Sequence, residues 1–475
     1  MKKMINTPLS WAVFSKIAES IIRFSSNLIL TKILFPEAFG LMATAQVILS
    51  LIDLFTDLGI RTSLIQNENG EKKEYLNTAW SISVSRGFII FGILFLAAPF
   101  LSDFYNEPRL TMIIRMLSIS IIVQAFSNPA LSLLFRKLET LKQFYWEIGS
   151  QFTGFVLTIV IAILFPSVWA MISGYILTSI IRLILSYWLI PYLPKWEIAP
   201  AAKKQLLSFG KHILVNTLTT WMFFNIDKLL VSKLFGVKEM GSYIIGLNIA
   251  LVVEQMVIQL FYKIMFPTFS RLAGKPEILK QKLFNYSGIM TLVTSAALAL
   301  LYVSSDSIVQ FLYGTSYSLA ALIIGWMAIR SIFHLQFGIF SSYLISVGKP
   351  VFVSISTTGG LMVFGILFLI SGSGLSLIHF LMILIVSSFS MMMISLYYVD
   401  RHLHTGYRNF LENSMKSAVI FLTVIFISNG IGLLQPYLRV SGIPENYFNT
   451  ALTFLLSSPV LFFTGKSAYL KWNSK

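Results

Sequence analysis

From residue 351 to residue 399 the sequence contains no Asp, Glu, Lys or Arg, and four other stretches, 149–181, 283–305, 417–438 and 446–465, do the same. A helix crosses the ~30 Å hydrocarbon layer of a bilayer with about 20 apolar residues. Each stretch therefore meets or approaches one crossing, and the longest holds two, divided by the Ser371-Gly-Ser-Gly374 turn. Composition excludes the soluble alternative: 56% of residues are hydrophobic and 12% charged, with mean hydropathy +0.76. Soluble domains carry ~25% charged residues to cover their surfaces. Residues 1–8 are followed by a segment broken by Lys16, Glu19 and Arg23, which is not the short apolar core of a signal peptide. Cysteine is absent, so disulfides, thiolate metal sites, iron–sulfur clusters and a Cys nucleophile are excluded.

Hydropathy, broken at Gly, Pro and charge clusters, predicts about 14 transmembrane helices. They span 10–31, 39–60, 78–101, 110–134, 144–165, 169–190, 209–231, 241–262, 283–303, 318–345, 351–370, 375–398, 414–434 and 447–465. The expected fold class is an all-α membrane protein. Lys and Arg provide an independent check, because cytoplasmic loops accumulate them. With the N-terminus inside, inside segments hold 22, outside loops 5 and the spans 9 of the 36 cations. Both ends are thus expected in the cytoplasm of a multi-pass protein of the bacterial inner membrane. The net charge of +16 belongs to these loops and to membrane lipid head groups, and no nucleic-acid partner is expected.

The loops exclude most chemistry. Outside loops are too short for catalytic domains, and the inside segments near 61–77, 191–208 and 263–282 are too small for a nucleotide-binding domain. Gly465-Lys-Ser467 ends like a phosphate loop, but Val460 stands where that loop requires Gly. His402 and His404 fall in an expected inside loop with no third ligand near, so no metal site is expected. The chain reads as a transporter, not an enzyme, with no catalytic residues and no cofactor beyond H+ or Na+ as a coupling ion.

Charges inside spans are costly, ~3 kcal/mol each near mid-bilayer on insertion scales, and so mark partners or water-filled cavities. Lys16, Glu19, Ser20, Arg23 and Asn27 follow helical spacing, as do Gln46, Ser50, Asp53, Asp57 and Arg61. Each set forms one polar stripe. The two stripes either line a hydrated cleft or pair to hold their helices together. Arg86, Arg182 and Arg330 lie deep in spans, as do Asp227 and Glu254, whereas Arg115, Lys211, Lys228 and Lys416 sit where long side chains reach the interface. A shift of about 200 residues places Ser20, Asn27, Leu34 and Phe35 on Thr220, Asp227, Leu234 and Phe235. One further residue places Gly40 on Gly241 and Asp53 on Glu254. The repeat predicts two pseudo-symmetric six-helix lobes, residues 1–208 and 209–400, followed by two C-terminal helices and a tail in 401–475.

Leu30-Thr-Lys-Ile-Leu-Phe-Pro-Glu-Ala-Phe-Gly40, Asp57-Leu-Gly59, Leu64-Ile-Gln66, Tyr75-Leu-Asn-Thr-Ala79 and Phe311-Leu-Tyr-Gly314 resemble the bacterial polysaccharide transporters. These are O-antigen, capsule and exopolysaccharide flippases of the multidrug/oligosaccharidyl-lipid/polysaccharide superfamily. Lys32 replaces an Arg common in that family. The resemblance implies two lobes around a central cavity, and alternating-access flipping of undecaprenyl-pyrophosphate-linked oligosaccharide. It makes Lys16, Arg23, Arg86, Arg182 and Arg330 candidates for the head group, and Trp221 and Trp326 candidates for stacking on sugars. Glu19, Asp53, Asp57, Asp227 and Glu254 become candidate cavity and coupling carboxylates. Polysaccharide polymerase and chain-length machinery are implied partners. A cation-coupled drug or metabolite exporter of the same superfamily and a membrane enzyme acting on prenyl-linked sugars are the alternatives.

Overall fold

The computed structural model describes residues 8–56, 60–272, 274–372, 374–403 and Thr423. Among them there are 14 α-helices and no strand. Twelve are long: α1 Pro8–Ile33, α2 Pro36–Thr56, α4 Lys73–Tyr105, α5 Arg109–Ala125, α7 Thr140–Leu164, α8 Val168–Leu189, α9 Pro200–Phe235, α10 Val237–Leu272, α11 Pro276–Leu312, α12 Leu319–Ser346, α13 Val351–Ser371 and α14 Leu377–Leu403. Two are short, α3 Ile60–Gln66 and α6 Leu131–Arg136. The twelve long helices carry the first twelve expected spans. The spans expected at 414–434 and 447–465 lie outside the described residues. Seven of the described helices are long and apolar enough to cross a membrane. Phe100, Leu96 and Leu369 are each more than two thirds exposed, as lipid-facing side chains should be.

Local chemistry sets most helix ends. Pro200 and Pro276 open α9 and α11, where a missing N–H costs nothing. Asn106 closes α4 in the left-handed conformation (φ 53°), and the Glu107 N–H returns to the Ser102 carbonyl. Two expectations need correction. The span expected over 110–134 ends at Ala125: Pro129 cannot continue an α-helix, and the Asn128 side chain accepts the Ala130 N–H at 3.0 Å, which starts a turn into α6. The second half of the inside segment expected at 191–208 and most of that expected at 263–282 are helical, because α9, α10 and α11 extend beyond their apolar stretches. Backbone hydrogen bonding tolerates charged side chains in water, so hydropathy locates the membrane and not the helix end.

The chain forms two compact units, Met1–Gly241 and Ser242–Lys475. In the first, α2, α4, α5 and α8 bury a common apolar core that includes Leu49, Leu94, Ile114 and Ile172. Small residues let α7 and α8 approach closely. A Cβ on Gly154 would meet Thr178 Oγ1 at 1.8 Å, and one on Gly174 would meet Thr158 Oγ1 at 1.8 Å. Such reciprocal small-residue contacts substitute in lipid for a hydrophobic drive between helices. Residues 190–199, which lead into α9, are pinned to the start of α4. Asn77 donates to Glu197 at 2.6 Å and accepts from the Tyr192 hydroxyl and the Lys195 N–H, while Thr78 accepts the Ala199 N–H. In the second unit α12 packs on α11 and α14, and α13 packs on α14.

Candidate functional site

The first unit encloses three adjoining cavities of about 560, 400 and 310 Å³. They share walls. Arg61, Trp146 and Arg182 border the first and second, Glu19 and Gln151 the second and third, and Gln46 and Tyr175 the first and third. Together they make one vestibule framed by α1, α2, α3, α4, α5, α7 and α8. Among the described residues its charged lining is Lys16, Arg23, Arg61, Arg86 and Arg182 against Glu19 and Glu147, a net of three positive charges.

Each cation is placed by its helix and its neighbours. Lys16 and Arg23, two turns apart on α1, flank Glu19 at 2.7 and 3.7 Å. Arg61, at the start of α3, lies over the Phe135 ring at 4.0 Å and faces Trp146 at 5.6 Å. Arg182 of α8 faces the same indole at 5.7 Å, bonds Ser150 Oγ through Nε at 3.2 Å, and receives the Trp146 N–H on its carbonyl at 3.1 Å. Trp146 thus organises two guanidinium groups. Stacking uses the flat faces of guanidinium, whereas phosphate oxygens bind its N–H edge in a planar fork. Gln46, Ser50 and Gln124 place neutral polar side chains along the largest of the three cavities. The arrangement suits an anion attached to a polar, uncharged body.

The structure brings together four of the five sequence-predicted cations, Lys16, Arg23, Arg86 and Arg182, with Glu19. Both polar stripes reach the vestibule, one through Lys16, Glu19, Arg23 and Asn27, the other through Gln46, Ser50 and Arg61. Asp57 and the side chain of Asp53 lie outside the described residues. Asp227 is fully buried on α9, accepts the Lys228 N–H at 2.8 Å, and borders none of the three cavities. Arg61 and Glu147 had not been assigned to the site from sequence, although Arg61 ends the second polar stripe. Of the tryptophans, Trp80 and Trp146 line the three cavities, not Trp221 or Trp326.

Arg330 and Glu254 lie in the second unit, 5% and 6% exposed. Glu254 of α10 accepts Ser331 Oγ at 2.6 Å, and its other oxygen is 3.5 Å from His334 Nδ1. His334 Nε2 is 3.1 Å from Ser388 Oγ on α14, which also accepts Arg330 Nε at 3.2 Å. Three helices are therefore joined through one buried polar cluster. His402, expected in a loop, stands in the last turn of α14 and bonds the Tyr343 hydroxyl through Nδ1.

The fold and the charged interior define the class, a multi-pass membrane protein with the architecture of the flippase and multidrug-transporter superfamily. A solved structure of the lipid II flippase MurJ in an inward-closed conformation superposes with TM-score 0.71 at 13% identity, covering 95% of this chain and 99% of that one. An inward-facing multidrug resistance transporter of the same superfamily gives 0.59 at 14% identity, covering 84% and 98%. The chain belongs to the polysaccharide biosynthesis protein family, whose profile matches residues 29–322. It is 22% identical over 347 residues to the succinoglycan biosynthesis transport protein ExoT of Rhizobium meliloti (strain 1021), covering 73% of this chain and 70% of that one. To the lipopolysaccharide biosynthesis protein WzxC of Escherichia coli (strain K12) it is 25% identical over 292 residues, covering 61% and 59%. The teichuronic acid biosynthesis protein TuaB of Bacillus subtilis (strain 168) is 22% identical, covering 65% and 64%. The matches to WzxC and TuaB thus span less than two thirds of those proteins.

Proposed function

We propose that the protein is a flippase. It carries an oligosaccharide linked to a polyprenyl diphosphate from the cytoplasmic to the outer leaflet of the bacterial inner membrane, for assembly of a surface polysaccharide. The observation that carries this reading is the excess of cations over carboxylates among the described residues of the vestibule, four of the five cations being guanidinium groups, beside neutral polar side chains. A diphosphate meets Arg61, Arg86 and Arg182 through charge-assisted bonds. The sugars meet Gln46 and Gln124, and the tail stays in lipid. Rocking of the two lobes, residues 1–208 and 209–400, presents the head group outside. The Lys and Arg alternation supports cytoplasmic termini. An exporter of organic cations, the other reading of this fold, would meet repulsion in the same vestibule. A bilayer polymerase would take the product on the outer side.

The test is transport itself. Vesicles holding the full chain and a fluorescent polyprenyl diphosphate sugar are treated with an impermeant quencher. The expected result is accelerated access of the outer-leaflet quencher to label from the inner leaflet, abolished by Arg61→Ala with Arg182→Ala. Equal flipping by the double variant, or new covalent product from the substrate, overturns the reading.

A further inference from the structure

Glu147 is out of place in a cavity that receives a polyanion. It lines the second cavity, whose other charged residues, among those described, are Lys16, Glu19, Arg61 and Arg182. Glu19 is committed along its own helix, with Lys16 and Arg23 beside it at 2.7 and 3.7 Å. Glu147 differs. Among the described residues its side chain makes no ion pair and no hydrogen bond, although Arg61, Arg182 and Lys16 surround it. Arg182 is engaged elsewhere, its Nε on Ser150 Oγ at 3.2 Å and its guanidinium over Trp146. A counter-ion whose role was to hold these cations would be paired with one of them. One turn before and after Glu147, Gln143 and Gln151 line the same cavity. Gln143 is anchored by its amide nitrogen to the Leu134 carbonyl at 2.8 Å, whereas the Gln151 side chain has no hydrogen bond among the described residues.

A carboxylate only accepts hydrogen bonds. Toward a diphosphate it is repulsive, so it weakens the hold on the charged part of the ligand. Its chemistry fits the other part. Sugar hydroxyls and acetamido N–H groups are donors, and two neighbouring donors match the two carboxylate oxygens in charge-assisted bonds. Trp146, the residue before Glu147, faces both Arg61 and Arg182, and all three border the first and second cavities alike. A diphosphate held there brings the sugar attached to it within reach of Glu147. Resting on the flippase reading, we propose that Glu147 is a specificity-determining residue, which accepts hydrogen bonds from the sugar joined directly to the diphosphate and rejects an acidic sugar at that position. Gln143 and Gln151 are neutral and both donate and accept, so they add hydrogen bonds without choosing by charge. A uronic acid in the same place sets carboxylate against carboxylate, a repulsive element that separates two ligands of nearly equal size.

The test is equilibrium binding at neutral pH to the full chain in nanodiscs. The probes are a polyprenyl diphosphate without sugar, one bearing glucose and one bearing glucuronic acid, the two sugars differing only at C6. The wild type should bind the glucose lipid at least ~10-fold more tightly than the glucuronic acid lipid. Glu147→Gln keeps the shape and removes the charge, so most of that ratio should disappear, chiefly through tighter binding of the acidic ligand. Gln151→Glu, which adds a second carboxylate to the same face, should widen it. A ratio near one in the wild type overturns the proposal without any variant. So does a ratio that Glu147→Gln leaves unchanged, all three probes shifting by one factor, as a plain counter-ion would cause. If Glu147→Gln does not fold, an unmoved ratio in Gln151→Glu overturns it. Failure of the sugar-free lipid to bind overturns the flippase reading and this proposal together, whereas binding of all three probes without discrimination overturns this proposal alone.

Discussion

Gly40 and Gly241 occupy reciprocal positions. A Cβ on Gly40 would lie 1.6 Å from the Val237 carbonyl oxygen, and one on Gly241 would lie 1.8 Å from the Pro36 carbonyl oxygen. Residues 36 and 237 are related by the same shift of 201 that relates 40 and 241, so the repeat meets itself at this crossing. The obstructing atoms are backbone and cannot swing aside. Gly40→Ala and Gly241→Ala should each cost at least ~1–3 kcal/mol, read as a lowered melting temperature in detergent and reduced protein in the membrane. Gly92→Ala, with nothing within 4 Å of the added carbon, should leave both unchanged.

Arg61 and Arg182 share the Trp146 ring. Replacing either with Ala should weaken binding of a polyprenyl diphosphate ~10–100-fold, the cost of losing a charge-assisted contact, while the protein stays folded. Lys in the same place keeps the charge and loses the planar fork, so it should restore only part of the affinity. Binding of a fluorescent diphosphate lipid to nanodisc-held protein measures both.

Trp146→Phe should keep the aromatic face but lose the N–H bond to the Arg182 carbonyl, whereas Trp146→Ala should lose both. With cation–π contacts worth ~0.5–2 kcal/mol, affinity for the diphosphate should fall in the order Trp, Phe, Ala. Equal affinities across the series would remove Trp146 from the site.

Asn77 is 5% exposed and holds Glu197, Tyr192 and the Lys195 N–H at once. Asn77→Ala leaves those groups without partners and should destabilise the first unit by ~1–3 kcal/mol. Protease cleavage within residues 190–199, compared between variant and wild type at equal temperature, reports the loss.

Outside the spans, hydrogen bonding to Arg109 holds the Glu107 carboxyl below its ordinary pKa. A depressed carboxyl contributes stability above its unfolded pKa and loses it as pH falls through the folded value. Glu107→Gln should therefore lower the melting temperature slightly near neutral pH and leave it unchanged at pH below the folded value, which flattens the acid limb of the profile. Arg109 is half exposed, which keeps the effect small.

The contrast between Arg61 and Arg330 shows where sequence reasoning reached. Both are cations in or beside spans, and spacing alone favoured the deeper one. Tertiary packing puts Arg61 in the vestibule, because α3 and α7 bring residues 61 and 146 together. It seals Arg330 among Glu254, Met327 and Ser388. The stripe on α1 was legible because one helix repeats every 3.6 residues, whatever surrounds it. Glu147 carried no such pattern, standing alone in its span, and only its neighbours reveal its place.

The sequence by itself determined the solvent, the helical class and twelve of the helices. Apolar length is a property of single segments in contact with lipid. Which charges share a cavity and which are sealed in a core were decided by the tertiary structure. Those outcomes depend on contacts between residues dozens to hundreds of positions apart, for which no local periodicity exists.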